Sequence, residues 1–346
     1  MRLFSFAIVV ILLTSCSNSK GKPDVSNIKV NITVQRFDKD FFALDTNNLS
    51  ASMERLYKKY PAFIPEYFEY FCPVNFMVQQ QGKTYPQAVT EYYRDIKPLA
   101  DSVQKKYPDA DFIKKGMDNY LRYIKYYYPS FKIPAVLTSV ESLNPENKDE
   151  IYGTLYFRDT LVISLQMFMG NNFSVYDPTQ YFDYLRRRFE PQYIVPNSIR
   201  AIANDIYNDT SQNATLIEQM VEKGKQWYLL DHFLPDVPDS LKTFYTNAEL
   251  KFCKANEGNI WSSIITNTPD LYTVDQERIQ NYLGEAPFTQ DMPHDVPGAS
   301  APGNIGQWVG WQIVKKFAQQ NPNMKLQDVL NTSAKKIFLE AKYRPK

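Results

Sequence analysis

The feature that most constrains this chain is its amino terminus, because it decides which residues fold and in which compartment. Arg2 precedes an apolar run over residues 3–13, which has the layout of a secretory signal and is too short to span a bilayer stably. The run ends in Leu-Thr-Ser-Cys at Cys16, the pattern at which lipoproteins are cleaved and acylated. We therefore expect residues 1–15 to be a lipoprotein signal peptide and Cys16 to carry the lipid. An ordinary signal peptide that ends near a cysteine is the alternative.

Residues 16–27 predict a flexible lipidated tether, since they are rich in Ser, Asn, Gly and Lys. Ser17 stands where an Asp would retain a lipoprotein in the inner membrane, and no acidic cluster follows to direct the chain to the cell surface. We expect a lipid-anchored outer-membrane protein on the periplasmic face. No later apolar segment approaches the length of a spanning helix, so the lipid on Cys16 is the expected membrane contact.

Residues 28–346 predict a single globular domain. Hydrophobic residues make up 44% of the chain and charged residues 22%, which supports a proper core. A net charge of +1 leaves no basic field for nucleic-acid phosphates, so no nucleic-acid partner is expected. Beyond Cys16 the cysteines are Cys72 and Cys253. They could form a disulfide, but we expect two separate buried thiols.

The hydrophobic periodicity predicts an α+β fold in which helices dominate. Residues 28–34 alternate as a half-buried strand, and a small antiparallel sheet is expected from residues 133–140, 151–157 and 160–165, with a turn at 158–159. Helical patterns bounded by Pro, Gly or capping residues surround this sheet. They begin near residue 49 and continue over 65–80, 86–105, 110–127, 194–207, 213–232, 241–267, 305–320 and 326–341.

The common catalytic constellations are missing from the sequence. His232 and His294 are the two histidines, about sixty residues apart, and no H-E-x-x-H, G-x-S-x-G or P-loop motif occurs. A zinc site needs converging imidazole, thiolate or carboxylate ligands. The three arginines at 186–188 are interpreted as a solvated turn, with a ligand site as the alternative. We expect no enzyme activity, no cofactor and no metal.

Three motifs carry a resemblance that extends over nearly the whole chain. They are Val-Gln-Arg-Phe-Asp from residue 34, Glu-Gly-Asn-Ile-Trp from residue 257 and Gly-Gln-Trp-Val-Gly-Trp-Gln-Ile-Val from residue 306. With the lipoprotein signal, they resemble the gliding motility lipoprotein GldB family of Bacteroidota. The resemblance implies a non-catalytic component of the gliding motility and type IX secretion apparatus. Its expected partners are other envelope lipoproteins of that apparatus.

Proteins of this family also look similar to predicted zinc peptidases in which a helix carries H-E-x-x-H. The corresponding region here is residues 193–203, which contains neither histidine nor glutamate, while Glu257 is the candidate remnant of the third ligand. The resemblance thus implies a degenerate zinc-peptidase-like helical domain. Two alternatives stay open. One is an active hydrolase, zinc-dependent or unconventional, and the other is a glycan- or peptidoglycan-binding lipoprotein, suggested by the many tyrosines.

Two glycines in the most specific motif require a physical reason, because glycine inside a helix costs about 1 kcal/mol relative to alanine. Gly306 and Gly310 lie one turn apart on one helical face, and Trp308 and Trp311 cover an adjacent face. We expect close approach of another helix at the glycines. These four residues form either a central packing element or a face that binds a partner.

Overall fold

The computed structural model describes residues 22–144, 152–267, 271–290, 292 and 301–346. The predicted signal peptide, Cys16 and His294 lie outside these residues. The helices longer than a single turn have the following bounds: α1 Phe37–Phe41, α2 Leu49–Lys59, α4 Val74–Gln81, α5 Tyr85–Lys106, α6 Asp111–Tyr127, α8 Ile194–Ile206, α9 Leu216–Phe233, α10 Asp239–Thr243, α11 Asn247–Ala255, α12 Glu257–Asn267, α13 Gln276–Leu283, α14 Ile305–Gln320, α15 Leu326–Asn331 and α16 Ala334–Ala341. Two single turns complete the numbering, α3 at Phe63–Glu66 and α7 at Asp183–Arg186.

The predicted predominance of helices around a small sheet is confirmed, but the predicted antiparallel sheet is wrong. The strands are β1 Val34–Arg36, β2 Ala135–Ser139, β3 Thr154–Phe157 and β4 Thr160–Ser164, in the order β1-β2-β4-β3. β2 runs parallel to both β1 and β4, and only the β3–β4 hairpin is antiparallel. Parallel neighbours need a long crossover, and helices α1–α6 supply it between β1 and β2. Local periodicity cannot reveal which strands this crossover brings together.

The first predicted strand is displaced toward its carboxyl end. Val30 and Ile32 are buried, as the alternation requires, yet strand pairing begins only at Val34, opposite Val136. The backbone N–H of Ile32 donates instead to a carboxylate oxygen of Asp118 in α6, at 2.8 Å. The alternating pattern therefore predicted burial correctly and pairing incorrectly.

The hairpin turn is placed as predicted, at Arg158 and Asp159. Both residues have left-handed backbone conformations, with φ of 46° and 58°. Positive φ at both central residues is what a two-residue hairpin turn of type I′ demands, because this turn matches the twist of its strands.

Predicted long helices are broken where local capping or strain interrupts the periodicity. Residues 65–80 contain a π-helical turn at Tyr67–Phe71 before α4 begins. The predicted helix over 241–267 is three helices, since Phe244 adopts a left-handed conformation after α10 and Thr246 caps α11 through a capping box with Glu249. The last predicted helix is likewise divided into α15 and α16, where the Ser333 side chain accepts from the backbone of the first turn.

The core of the carboxyl-terminal half is the contact between α9 and α14. A Cβ atom built on Gly310 would lie 1.7 Å from the carbonyl oxygen of Met220, and one built on Gly224 would lie 2.2 Å from the carbonyl carbon of Gly310. The two backbones therefore touch, as the predicted close approach requires. Trp308 and Trp311 are each only 1% exposed. Of the two interpretations of this motif, central packing is the one that matches the geometry.

Gly306 lies one turn earlier on the same side of α14. A Cβ atom there would meet the Leu283 side chain at 2.8 Å and the backbone oxygen of Tyr282 at 3.0 Å. The absence of a side chain at Gly306 therefore allows α13 to pack closely against α14. Among the residues that the structure describes, none of the helices combines the length and apolar character needed to cross a bilayer.

Candidate functional site

A cavity of about 540 Å³ lies between the sheet edge and the carboxyl-terminal helices. Strand β3, helices α8 and α9, the residues that follow α10 and the amino end of α14 all contribute to its wall. The side chains that matter below are Tyr152, Thr154, Tyr156, Arg187, Arg188, Asn197, Arg200, Asn204, Asp205, Lys223, Phe244, Glu285, Asn304 and Gln307. Its size is within the range of pockets that take a small molecule.

One face of α8 forms the floor of this cavity. Asn197, Arg200 and Asn204 follow at intervals of three and four residues, which places them on the same side of the helix. The amide of Asn197 donates to the backbone oxygen of Tyr152 at 2.9 Å and so ties α8 to the segment before β3. The other atom of that buried amide, Oδ1, has no hydrogen-bond partner within the described part of the chain.

Two arginines converge on one strained phenylalanine. The guanidinium carbons of Arg188 and Arg200 lie 4.3 and 4.4 Å from the ring centroid of Phe244, which is cation–π distance. Phe244 has a φ of 63°, a conformation that is unfavourable for a bulky side chain and that occurs mainly where the surrounding structure enforces it. The fold therefore holds this ring in place, and with it both guanidinium groups.

The two arginines differ in their counter-charges. Arg188 is 6% exposed, and its Nη1 donates to both carboxylate oxygens of Glu285 at 3.0 Å. Arg200 donates to the backbone oxygen of Lys242, and no carboxylate of the described residues lies within ion-pairing distance of it. Burial lowers the pKa of Arg200 to about 10, so the group remains a cation at neutral pH.

The amino end of α14 also faces the cavity. Asn304 precedes the helix in a left-handed conformation, with a φ of 61°, and its side chain does not cap the first turn. Its amide donates instead to the side-chain oxygen of Gln307 at 2.6 Å. Backbone N–H groups at the start of a helix carry partial positive charge, which adds to that of the arginines.

Strand β3 presents its open edge at the same cavity. It is the terminal strand of the sheet, paired only with β4 among the described residues. In a two-residue hairpin the closing pair, Phe157 and Thr160, is hydrogen-bonded, and the bonding then alternates along the strand. The bond from the N–H of Ser164 to the oxygen of Gly153, 2.9 Å, follows this alternation. The backbone polar groups of Thr154 and Tyr156 consequently point away from β4.

The residues of the cavity do not fit a zinc ion. Its acidic groups are Glu285, which is engaged by Arg188 and by the hydroxyl of Tyr152 at 2.9 Å, and the exposed Asp205. No group of three His, Cys, Asp or Glu side chains suited to a metal occurs in the described ranges. The guanidinium groups would also repel a cation.

The other predicted site residues lie away from this cavity. Glu257 begins α12, where its carboxylate accepts from the hydroxyl of Tyr343 at 2.7 Å. His232 ends α9 in a separate groove, with Nδ1 2.8 Å from the backbone oxygen of Tyr228. Burial lowers the pKa of this histidine.

The interpretation of residues 186–188 as a solvated turn is wrong for Arg188, which is buried. Arg187 also lines the cavity and pairs with Glu249 at 2.9 Å, while Arg186 pairs with Asp183 in its own turn. The three consecutive side chains point in different directions, and those of Arg187 and Arg188 point toward the cavity. The acidic partners are too distant in sequence for a local pattern to indicate them.

The comparisons with known proteins give one match. A family model described as gliding motility protein GldB matches residues 18–345, nearly the whole chain. Comparisons with curated proteins and with solved structures give no match, and the similarity to zinc peptidases stays a prediction. The chain belongs to the GldB family of gliding motility proteins.

Proposed function

We propose that this protein is a lipid-anchored, non-catalytic component of the gliding motility and type IX secretion apparatus. It is held by Cys16 at the periplasmic face of the outer membrane and binds an extended segment of another envelope protein in the cavity beside β3. The observation that carries the proposal is the composition of this cavity, in which an open strand edge faces arginines. The described residues there include no group of three side chains that could hold a metal ion.

The open edge of β3 supports binding of an extended chain. Unpaired N–H and C=O groups on an edge strand are a template for another strand, and added strands gain affinity from main-chain hydrogen bonds. Thr154 and Tyr156 offer such groups next to a cavity that can receive side chains of the added segment. Among the described residues β3 pairs with no strand other than β4, and α8 packs beside it.

The side chains that line the cavity support binding of a segment without its cleavage. A hydrolytic zinc site needs imidazole or carboxylate ligands and a base that activates the bound water. On α8 the cavity is lined by Asn197, Arg200, Ala201, Asn204 and Asp205. Asp205 is the one carboxylate among these five, and a single carboxylate does not make a hydrolytic zinc site.

A second candidate, glycan binding, is favoured by a separate hollow of about 350 Å³. Tyr57, Tyr70 and Tyr85 line it and are 38%, 68% and 49% exposed. Glu69 and Asn75 add polar groups beside these rings. Titration of soluble peptidoglycan fragments, with Tyr70→Ala as the variant, tests this candidate; binding that the variant abolishes would support it.

Photocrosslinking in intact cells tests the main proposal. A photoreactive amino acid at Tyr156, beside the open edge, should capture a discrete envelope protein. The same amino acid at Phe112, an exposed site on α6 (43% exposed), is the matched control and should not. Equal capture at both positions, or none at Tyr156, would argue against the cavity as the binding site.

Two further measurements test the anchor and the absence of catalysis. Cys16→Ala should release the protein from the membrane fraction, because acylation requires the thiol. The full-length chain should lose any zinc on dialysis and should not cleave peptides. Stoichiometric zinc that survives dialysis, together with chelator-sensitive proteolysis, would establish the hydrolase alternative.

A further inference from the structure

Two charged side chains of the cavity lie outside the ion pairs formed by the described residues, Arg200 and the exposed Asp205. Arg187 pairs with Glu249, Arg188 with Glu285 and Lys223 with Asp209, the last at 4.0 Å. In the described part of the chain Arg200 has no such partner; a backbone carbonyl accepts one of its bonds, and its Nε has no acceptor. A partly buried cation without a direct ion pair is unfavourable. An anion in the cavity would relieve this cost.

The surroundings of Arg200 restrict what the anion can be. A guanidinium group binds a planar carboxylate through two parallel hydrogen bonds. Arg200, a cation without a direct ion pair, matches a singly charged group. The Glu285 and Asp205 carboxylates of the same cavity disfavour a doubly charged phosphate. The amino end of α14, left without a side-chain cap by Asn304, is a further favourable element for a carboxylate.

The guanidinium groups of Arg188 and Arg200 are also preorganised for binding a carboxylate. Phe244 holds Arg188 and Arg200 from a strained backbone conformation. Strained residues of this kind concentrate at binding sites, where the surrounding fold enforces a geometry that a ligand uses. Side chains that are already fixed lose little entropy when the ligand binds.

We propose that the segment bound along β3 is recognised through a carboxylate that pairs with Arg200 in this cavity. This inference rests on the proposed function, since it specifies the chemistry of the bound segment. The carboxylate is that of an acidic side chain or of a chain end, two sources that present the same group to the guanidinium.

Binding of defined peptides to the full-length chain in detergent tests this proposal. The probes are three fluorescein-labelled peptides built on Thr-Val-Thr-Val-Thr. The first ends in an amidated Glu, the second in Gln with a free carboxyl end and the third in an amidated Gln. Fluorescence anisotropy should show that at least one of the first two binds about tenfold or more tightly than the third, as expected for a charged hydrogen-bonded pair. The tighter of the two identifies the source.

Variants then assign the selectivity to Arg200. Arg200→Gln should bind all three peptides alike. Arg200→Lys keeps the charge without the planar fork and should keep only part of the preference. Lys105→Gln removes one charge from an exposed site on α5 and should leave the preference intact. Thermal unfolding of each variant shows that it is folded.

The outcomes separate this inference from the proposed function. Equal binding of the three peptides to the wild-type protein, binding of none, or a preference that survives Arg200→Gln would each overturn the carboxylate inference. Crosslinking at Tyr156 would still report on the proposed function in those cases. A carboxylate preference without any crosslinked partner would contradict the proposed function alone.

Discussion

Replacing Gly310 by alanine would place a methyl group inside the backbone of the neighbouring helix. The new Cβ would lie 1.7 Å from the carbonyl oxygen of Met220 and 2.4 Å from its carbonyl carbon. Ordinary contacts between such atoms need about 3.5 Å, so α9 and α14 would have to separate by about 1.8 Å. A backbone atom cannot rotate away as a side chain can, and the whole helix pair has to move.

Three contributions determine how far Gly310→Ala changes the free energy of unfolding. Overpacking of a core costs about 1–3 kcal/mol, and a clash with backbone lies at the upper end of that range. Gaps of about 50 Å³ opened around the displaced tryptophans would add about 1 kcal/mol, at roughly 24 cal/mol per Å³. Alanine in place of glycine stabilises the helix itself by about 1 kcal/mol. We therefore expect Gly310→Ala to lower the free energy of unfolding by about 3 kcal/mol.

The matched control is Gly116→Ala in α6. The three atoms nearest to a Cβ there all belong to the side chain of Val195, the closest at 2.7 Å. A side chain can shift more easily than backbone, so we expect the cost of this contact and the gain in helix propensity nearly to cancel. Urea unfolding followed by tryptophan fluorescence measures both variants. The reasoning is refuted if Gly310→Ala unfolds within about 1 kcal/mol of Gly116→Ala, because the 1.7 Å approach would then not constrain position 310.

Three further predictions concern stability and reactivity. Lys342→Gly should stabilise the protein by about 0.5–1 kcal/mol, because Lys342 ends α16 with a φ of 47° that favours glycine; an unchanged urea midpoint would contradict this. Burial raises the pKa of Glu141 above 4.5, so the wild-type protein loses stability as the pH rises from 4.5 toward that higher value. The stability of Glu141→Gln relative to the wild type should therefore increase from pH 4 to pH 7. The same stability difference at both pH values would contradict this prediction. Cys72 and Cys253 are free and buried, and burial raises the pKa of Cys72 to about 12; both thiols should react with a thiol reagent only after unfolding, and rapid labelling of the native protein would refute their burial.

Helices with strong periodicity and clear termini were predictable from the sequence. The helix at Tyr85–Lys106 begins at a capping box formed by Thr84 and Gln87, and α14 was predicted with its observed bounds. Both signals are local, since a cap or an apolar stripe depends on residues within a few turns of the same helix. The break after Phe244 was missed because the ring and its two arginine neighbours hold a conformation that no local preference favours.

The candidate site was only partly predictable. The resemblance indicates residues 193–203 as the region that corresponds to the metal-binding helix of the peptidases. This region contributes Asn197, Arg200 and Ala201 to the cavity. The sequence did not indicate that Arg188 and Glu285 face each other there, nor that Glu257 lies elsewhere, beside Tyr343. Ion pairs between residues about a hundred positions apart leave no periodic or spacing signal.

By itself the sequence determined the helix-dominated class, the hairpin turn and the requirement for glycine at Gly306 and Gly310. Each of these depends on conformational preferences that act within a few residues. Tertiary structure alone decided the parallel pairing of β2, the open edge of β3 and the unpaired charge of Arg200. These properties depend on which distant segments become neighbours, and that choice is made by the packing of the whole core.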